Sequence, residues 1–191
     1  MAKLYFRYGT VGSAKTLNLL AVAHNYQQQK KRVSVLKPKF DVRFSADDVK
    51  SRAGLAMAAD RLIDADTTFG PNEFDGVDCI VVDEAQFLSR RVIDQFRTIA
   101  TKNDIPIICY GLRTDFRGQL FEGSQRLFEV ADSIEEIKTT CAYCNRKAIF
   151  NLKFINGQPT LDGPKIELGA EEKYLPACST CYLTRTKLLE A

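Results

Sequence analysis

The tightest constraint on this chain is local. A β-prone run, Lys3-Leu4-Tyr5-Phe6-Arg7-Tyr8, passes through Gly9-Thr10-Val11-Gly12-Ser13-Ala14-Lys15-Thr16 into the helix-patterned Leu17-Asn18-Leu19-Leu20-Ala21. Strand, glycine turn and helix in that order form the setting of a phosphate-cradling loop, G-x-x-x-x-G-K-[ST]. There, backbone N–H groups at the positive end of a helix wrap phosphate oxygens. A Lys reaches the outer phosphates and a Ser/Thr hydroxyl binds Mg²⁺. Gly9 to Ala14, Lys15 and Thr16 are therefore candidate nucleotide-binding residues. Ala14 stands where the pattern has its second glycine, and its methyl group is expected to fit only with a negative φ. The alternative is an ordinary strand-to-helix turn with a solvated Lys15.

The remaining pattern extends this unit into an alternation. Val33 to Lys37 reads as a second strand. Val77 to Val82 and Ile105 to Tyr110 are nearly continuous apolar runs, the mark of strands covered on both faces. Helices are expected over Ala53 to Ile63, Ser89 to Ala100 (with Ser89 as cap) and Ser124 to Ala131, with a short strand over Ser133 to Lys138. Alternating strands and helices imply a parallel sheet with right-handed crossovers. After Thr140 the character changes to short strand-like stretches, Ala148 to Phe154 and Lys165 to Leu168, separated by Gly and Pro turns. The expected division is a nucleotide-binding unit over 1–140 and a small appended unit over 141–191, a plausible partition of 191 residues.

Six cysteines are of two kinds. Cys79 and Cys109 lie inside apolar runs and read as small buried side chains. Cys141-Ala142-Tyr143-Cys144 and Cys178-Ser179-Thr180-Cys181 are two C-x-x-C pairs separated by 33 residues. Such pairs can supply four thiolates to a tetrahedral, structural Zn²⁺; a redox pair or two disulfides are the alternatives. No apolar run has the 18 or more residues of a membrane span, and no basic-then-apolar leader opens the sequence, so a cytoplasmic location away from membranes is expected. The formal charge of +3 is weak, and four thiolates around one Zn²⁺ would lower it, which argues against a nucleic-acid partner. The single histidine, His24, is expected to be packed or at an interface rather than catalytic.

The apolar run at Val77 to Val82 ends in Asp83-Glu84-Ala85-Gln86-Phe87. An acid at the end of such a strand lies beside a phosphate loop, so Asp83 and Thr16 are candidate Mg²⁺ ligands. Glu84 follows at once and is the candidate catalytic base toward an acceptor. A surface strand end is the alternative for this pair.

Taken in order, these elements resemble the type II thymidine kinases. The likeness covers the phosphate loop at Gly9 to Thr16, a D-x-R element at Asp41-Val42-Arg43, and D-E-G-Q-F at Asp83-Glu84-Ala85-Gln86-Phe87. It continues through G-L-x-x-x-F at Gly111-Leu112-Arg113-Thr114-Asp115-Phe116 and the two cysteine pairs. Ala14 and Ala85 replace usual glycines, and Arg52 stands where a histidine is common. The resemblance implies a P-loop, RecA-like parallel sheet flanked by helices, with a C-terminal zinc-binding lasso that closes over a nucleoside. It implies ATP-dependent phosphorylation of the thymidine 5′-hydroxyl. Asp41, Arg43, Asp83 and Gln86 would serve the nucleotide end. Phe87, Phe116, Lys165, Ile166, Glu167, Leu168, Gly169 and Tyr174 would hold the nucleoside, although Phe87 and Phe116 also read as core residues. A homotetramer and feedback by thymidine triphosphate are further implications. Rival readings are a nucleic-acid-dependent P-loop ATPase and a catalytically weakened nucleotide sensor.

Overall fold

The computed structural model describes residues 1–40, 47–165 and 174–188. Its centre is a six-stranded sheet containing β1 (Leu4–Tyr8), β2 (Val33–Pro38), β5 (Arg61–Ile63), β6 (Cys79–Val82), β7 (Ile107–Gly111) and β8 (Ser133–Glu136). The order is β5-β2-β6-β7-β1-β8, and every pairing is parallel. Helix α1 (Lys15–Gln28) covers one face; α2 (Arg90–Lys102) and α3 (Glu122–Val130) cover the other.

The continuous apolar runs are explained by this double covering. In β6 all four residues are fully buried, and alternate side chains feed opposite cores. Ile80 and Val82 join the cluster under α2 and α3, while Cys79 and Val81 join the cluster under α1. Strands β1 and β7 divide in the same way, with Phe6 and Cys109 on one side and Ile108 and Tyr110 on the other. A strand with a solvated face would alternate apolar with polar residues; here both parities are apolar because both faces are dry. Ser89 caps α2 as expected, accepting a hydrogen bond from the Val92 N–H.

One expected helix is absent. Residues 53–63 form a turn at Gly54 (φ 87°), then β4 (Ala56–Ala58) and the edge strand β5. Strand β4 pairs antiparallel with β3 (Asp48–Lys50), and β5 extends the main sheet beside β2. The local Ala-rich composition favours helix, but the backbone groups of this segment find partners on β2 and β3. The Asp60 carboxylate also accepts from the Val35 N–H at 2.7 Å, so tertiary pairing overrides propensity. His24 is exposed on α1, so it is not packed within the chain.

Beyond residue 140 a separate three-stranded sheet forms from β9 (Phe150–Ile155), β10 (Gln158–Thr160) and β11 (Tyr174–Ala177), followed by α4 (Ser179–Arg185). Its own cluster contains Cys141, Leu152, Ala177, Cys178 and Tyr182. The Phe150 and Tyr182 rings stack at 4.4 Å, and the Tyr182 hydroxyl donates to the Phe116 carbonyl at 2.6 Å. These contacts dock the small sheet on the loop that follows β7. Among the described residues, no helix is long and apolar enough to cross a membrane.

Candidate active site

The phosphate loop connects β1 to α1. Gly9 is required by space, since a Cβ there would lie 2.3 Å from Ser13 Oγ and 2.6 Å from the Ile137 carbonyl oxygen. Gly12 is required by conformation, with φ at 72°. The expectation for Ala14 is overturned. It has φ 61° and ψ 30°, the left-handed region, at the N-cap of α1. The turn into the helix imposes this conformation whether or not a methyl group is present, at a cost of about 1–2 kcal/mol for a residue with a Cβ. Lys15 is buried and folds along the loop, its Nζ donating to the Thr10 carbonyl at 2.7 Å and to Ser13 Oγ at 3.4 Å.

Strand β6 ends beside this loop. The Thr16 hydroxyl lies 3.1 Å from Asp83 Oδ2 and 3.4 Å from Oδ1, so two hard oxygen donors from segments 67 positions apart share one point. Such a donor set fits Mg²⁺. Glu84 has φ 50°, also left-handed, and the chain then enters the 3-10 turn Ala85–Phe87. A non-glycine residue held this way is strained, and at this bend Glu84 lines the cleft. Gln86 fixes it there. Its Nε2 donates to Glu84 Oε2 at 2.5 Å, and its Oε1 accepts from the Leu112 N–H at 3.0 Å. Gln86 is almost wholly buried and does not itself line the cleft; its described partners are Glu84 and the Leu112 N–H. Ala85 is buried without a left-handed φ; its replacement of glycine therefore costs no backbone strain.

These groups open on one cleft of about 310 Å³. Val11 to Thr16 line one end, with Asp83 and Glu84 beside them; Phe87, Phe116, Lys165 and Tyr174 line the rest. Gly9 and Thr10 lie behind the loop, away from this cleft. Phe87 meets Phe121 edge-on at 5.3 Å between centroids. Phe116 is at once a core residue and a wall residue: it is 1% exposed, 6.3 Å from the Tyr174 ring, and carries Lys153 Nζ and the Arg117 guanidinium each 4.7 Å from its centroid. Arg52, in the turn between β3 and β4, is exposed at the rim. Asp41, Arg43, Ile166, Glu167, Leu168 and Gly169 lie outside the described residues.

The cysteine pairs come together. Their four sulfurs all lie within 4.8 Å of one another, with Cys144 Sγ 3.6 Å from Cys178 Sγ and 3.8 Å from Cys181 Sγ. Four thiolates about 2.3 Å from one Zn²⁺ in a tetrahedron stand about 3.8 Å apart, whereas a disulfide requires about 2.05 Å. The Tyr143 N–H also points at Cys141 Sγ, 3.4 Å away, as in a metal knuckle. The donor set fits structural zinc and leaves no open coordination position. Cys79 and Cys109 take no part; burial pushes the Cys79 thiol up to about 11 and raises that of Cys109 as well, so both are inert.

Sequence reasoning missed two polar residues here. Lys37 is buried at the end of β2 and lines the cleft, with its Nζ donating to the Asp48 carbonyl at 3.0 Å. Asn151, in β9, is 3% exposed and reaches the phosphate loop. The available signal was the same for both: a polar side chain embedded in a mostly apolar strand.

Comparisons with known proteins agree with this arrangement. A family model described as thymidine kinase matches residues 2–182. The chain is 42% identical over 184 residues to a thymidine kinase of Streptococcus gordonii, covering 95% of this chain and 96% of that one. It is 42% identical over 190 residues to a thymidine kinase of Lactiplantibacillus plantarum, covering 98% and 99%. With the thymidine kinase of Enterococcus faecalis it shares 39% over 189 residues, covering 95% of each. A solved Pif1 helicase from Candida albicans overlaps with a TM-score of 0.40 at 9% identity, over 71% of this chain and 36% of that one; nothing further rests on that overlap. With the matched model spanning nearly the full length, this chain belongs to the thymidine kinase family.

Proposed function

We propose that the protein transfers the γ-phosphoryl group of ATP to the 5′-hydroxyl of thymidine. The observation that carries this reading is that Lys15, Thr16, Asp83 and Glu84 line one cleft with four aromatic side chains, Phe87, Phe116, Phe121 and Tyr174. The family's D-x-R and lasso elements, at Asp41, Arg43 and residues 165–169, support the same assignment by likeness.

Phosphoryl transfer asks for positioning and charge neutralisation more than covalent chemistry. Lys15, freed from the Thr10 carbonyl, pairs with the outer phosphate oxygens, and Lys37 and Arg43 add positive charge. Thr16 and Asp83 would hold Mg²⁺, which when bound would neutralise phosphate oxygens on the donor side. Glu84, oriented by Gln86, accepts the 5′-hydroxyl proton as the oxygen–phosphorus bond forms and the bond from the γ-phosphorus to the bridging oxygen of ADP breaks. Phe87, Phe116 and Tyr174 present flat apolar faces to a thymine ring, and Lys165 to Gly169 supply contacts to its polar edge. The four cysteines with zinc hold both ends of the segment that closes over the nucleoside, which reduces the entropy cost of closure. A cytoplasmic homotetramer inhibited by thymidine triphosphate completes the proposal by family likeness.

Purified protein with Mg-ATP and a panel of deoxynucleosides tests this reading. Thymidine monophosphate as the dominant product is expected. ATP binding without phosphorylation of any nucleoside, or ATP hydrolysis that requires DNA, contradicts it.

A further inference from the structure

A single side chain crosses from the small sheet to the phosphate loop. Asn151 sits in β9, and its Oδ1 accepts from the Val11 N–H at 2.8 Å. Its Nδ2 donates to the Thr114 carbonyl, in the segment after β7, at 3.0 Å. One bond requires the amide oxygen and the other the amide nitrogen, so the two partners fix the orientation of the group without ambiguity. The residue is 3% exposed in a strand whose Phe150 and Leu152 join the small-sheet cluster and whose Lys153 is also fully buried. A buried amide in such a place is costly unless both ends are satisfied, and here both are satisfied by backbone of the loops that follow β1 and β7.

The strand paired with Asn151 leads directly into the cysteine cluster. Asn151 stands opposite Pro176 in the β9–β11 register, and Phe150 stands opposite Ala177. The next residue in β11's direction is Cys178, so the registering strand enters the cysteine cluster within two residues of the Asn151 pair. Val11 immediately precedes Gly12, where the loop turns left-handed. Holding the Val11 N–H therefore fixes the limb from which the phosphate cradle is suspended.

We infer that Asn151 is a positioning residue for the ATP end of the cleft: it preorganises the phosphate loop and carries the rigidity of the cysteine-clamped sheet to it. This role rests on the phosphotransfer reading above. It predicts that the cysteine clamp acts on nucleotide affinity as well as on closure over the nucleoside.

The test uses full-length zinc-loaded wild-type, Asn151→Ala and Asn151→Asp proteins, each checked for zinc content and a cooperative thermal transition. Mg-ATP and thymidine are titrated separately by calorimetry, and the hydrogen exchange of the Val11 amide is followed by NMR. Loss of one preorganising hydrogen bond raises the Kd for ATP about 3- to 10-fold in Asn151→Ala. The thymidine Kd stays within about twofold of wild type, and Val11 exchange accelerates about tenfold or more. Asn151→Asp keeps an acceptor for the Val11 N–H, so Val11 protection is retained; this variant carries the test should the alanine variant not fold. ATP affinity unchanged or tightened in Asn151→Ala, equal losses for ATP and thymidine, or Val11 exchange lost in Asn151→Asp as well overturns the inference. Direct titration separates this from the parent reading. Wild type that binds no ATP overturns both, whereas wild type that binds ATP and makes no thymidine monophosphate overturns only the assigned reaction.

Discussion

The phosphate loop and the cysteine cluster reach precision by opposite routes. The loop is eight consecutive residues, and its shape comes from backbone conformation: a crowded Gly9, left-handed Gly12 and Ala14, and a helix that starts at Lys15. The cysteine site is made of two short pairs separated by 33 residues; its shape comes from a shared geometric demand, four sulfurs within 4.8 Å. A loop shaped mainly by its own backbone takes most of its form locally, with Asn151 bracing a single N–H from outside. A site assembled from distant pieces needs each of them to take its form, and it stiffens whatever chain lies between them. The comparison teaches that the donor end of this cleft is formed mainly by local backbone with one long-range brace at Asn151, while the acceptor end depends on long-range closure.

That contrast can be broken or sharpened by mutation and metal removal. The largest effect is expected where the two ends meet. Glu84→Gln keeps the Gln86 contact geometry and removes the proton acceptor, so kcat falls at least ~10²-fold with thymidine affinity largely intact; steady-state kinetics beside direct thymidine binding checks this. Near-wild-type kcat would remove Glu84 from the base role. Next in size is zinc removal. Releasing even one or two residues of the closing segment from their restraint costs on the order of tenfold in affinity. Chelation should therefore weaken thymidine binding about tenfold or more, and ATP binding by the smaller factor that Asn151 transmits. Equal losses, or none, would erase the distinction between a local and a long-range end. Smallest is Ala14→Gly. It relieves about 1–2 kcal/mol of left-handed strain and gives back about 0.4–1 kcal/mol through the looser unfolded chain. Thermal unfolding should rise slightly, with the KM for ATP equal or lower; a clear loss of stability would show that the loop does not need its left-handed residue.

Legibility in the sequence follows the same divide. The phosphate loop, β6 running into Asp83-Glu84, and the cysteine pairs could be read because each is a short run whose residue types carry the chemistry. The cap at Ser89 was legible for the same reason. The segment Ala56 to Ile63 was not: its composition favours helix, and only the edges of β2 and β3 make it strand. Gln86 was recognised as part of the site, but its contact with Glu84 was not legible, because sequence order cannot reveal that the 3-10 turn brings its amide back onto Glu84. Asn151 and Lys37 were missed because a polar residue in an apolar strand announces burial with a partner, while the partner itself is fixed only by how sheets dock. Ala14 shows the limit of a local rule. The motif predicts glycine for its conformation, and the conformation persists without the glycine.

The claim beneath all of this is that donor and acceptor occupy one continuous cleft, with Lys15 at one end and Glu84 between them. The most direct measurement is inhibition by a linked molecule, adenosine joined through a polyphosphate chain to the 5′-oxygen of thymidine. One cleft predicts competitive inhibition against ATP and against thymidine alike. Competition with one substrate and a noncompetitive pattern against the other would place the two sites apart and contradict the account.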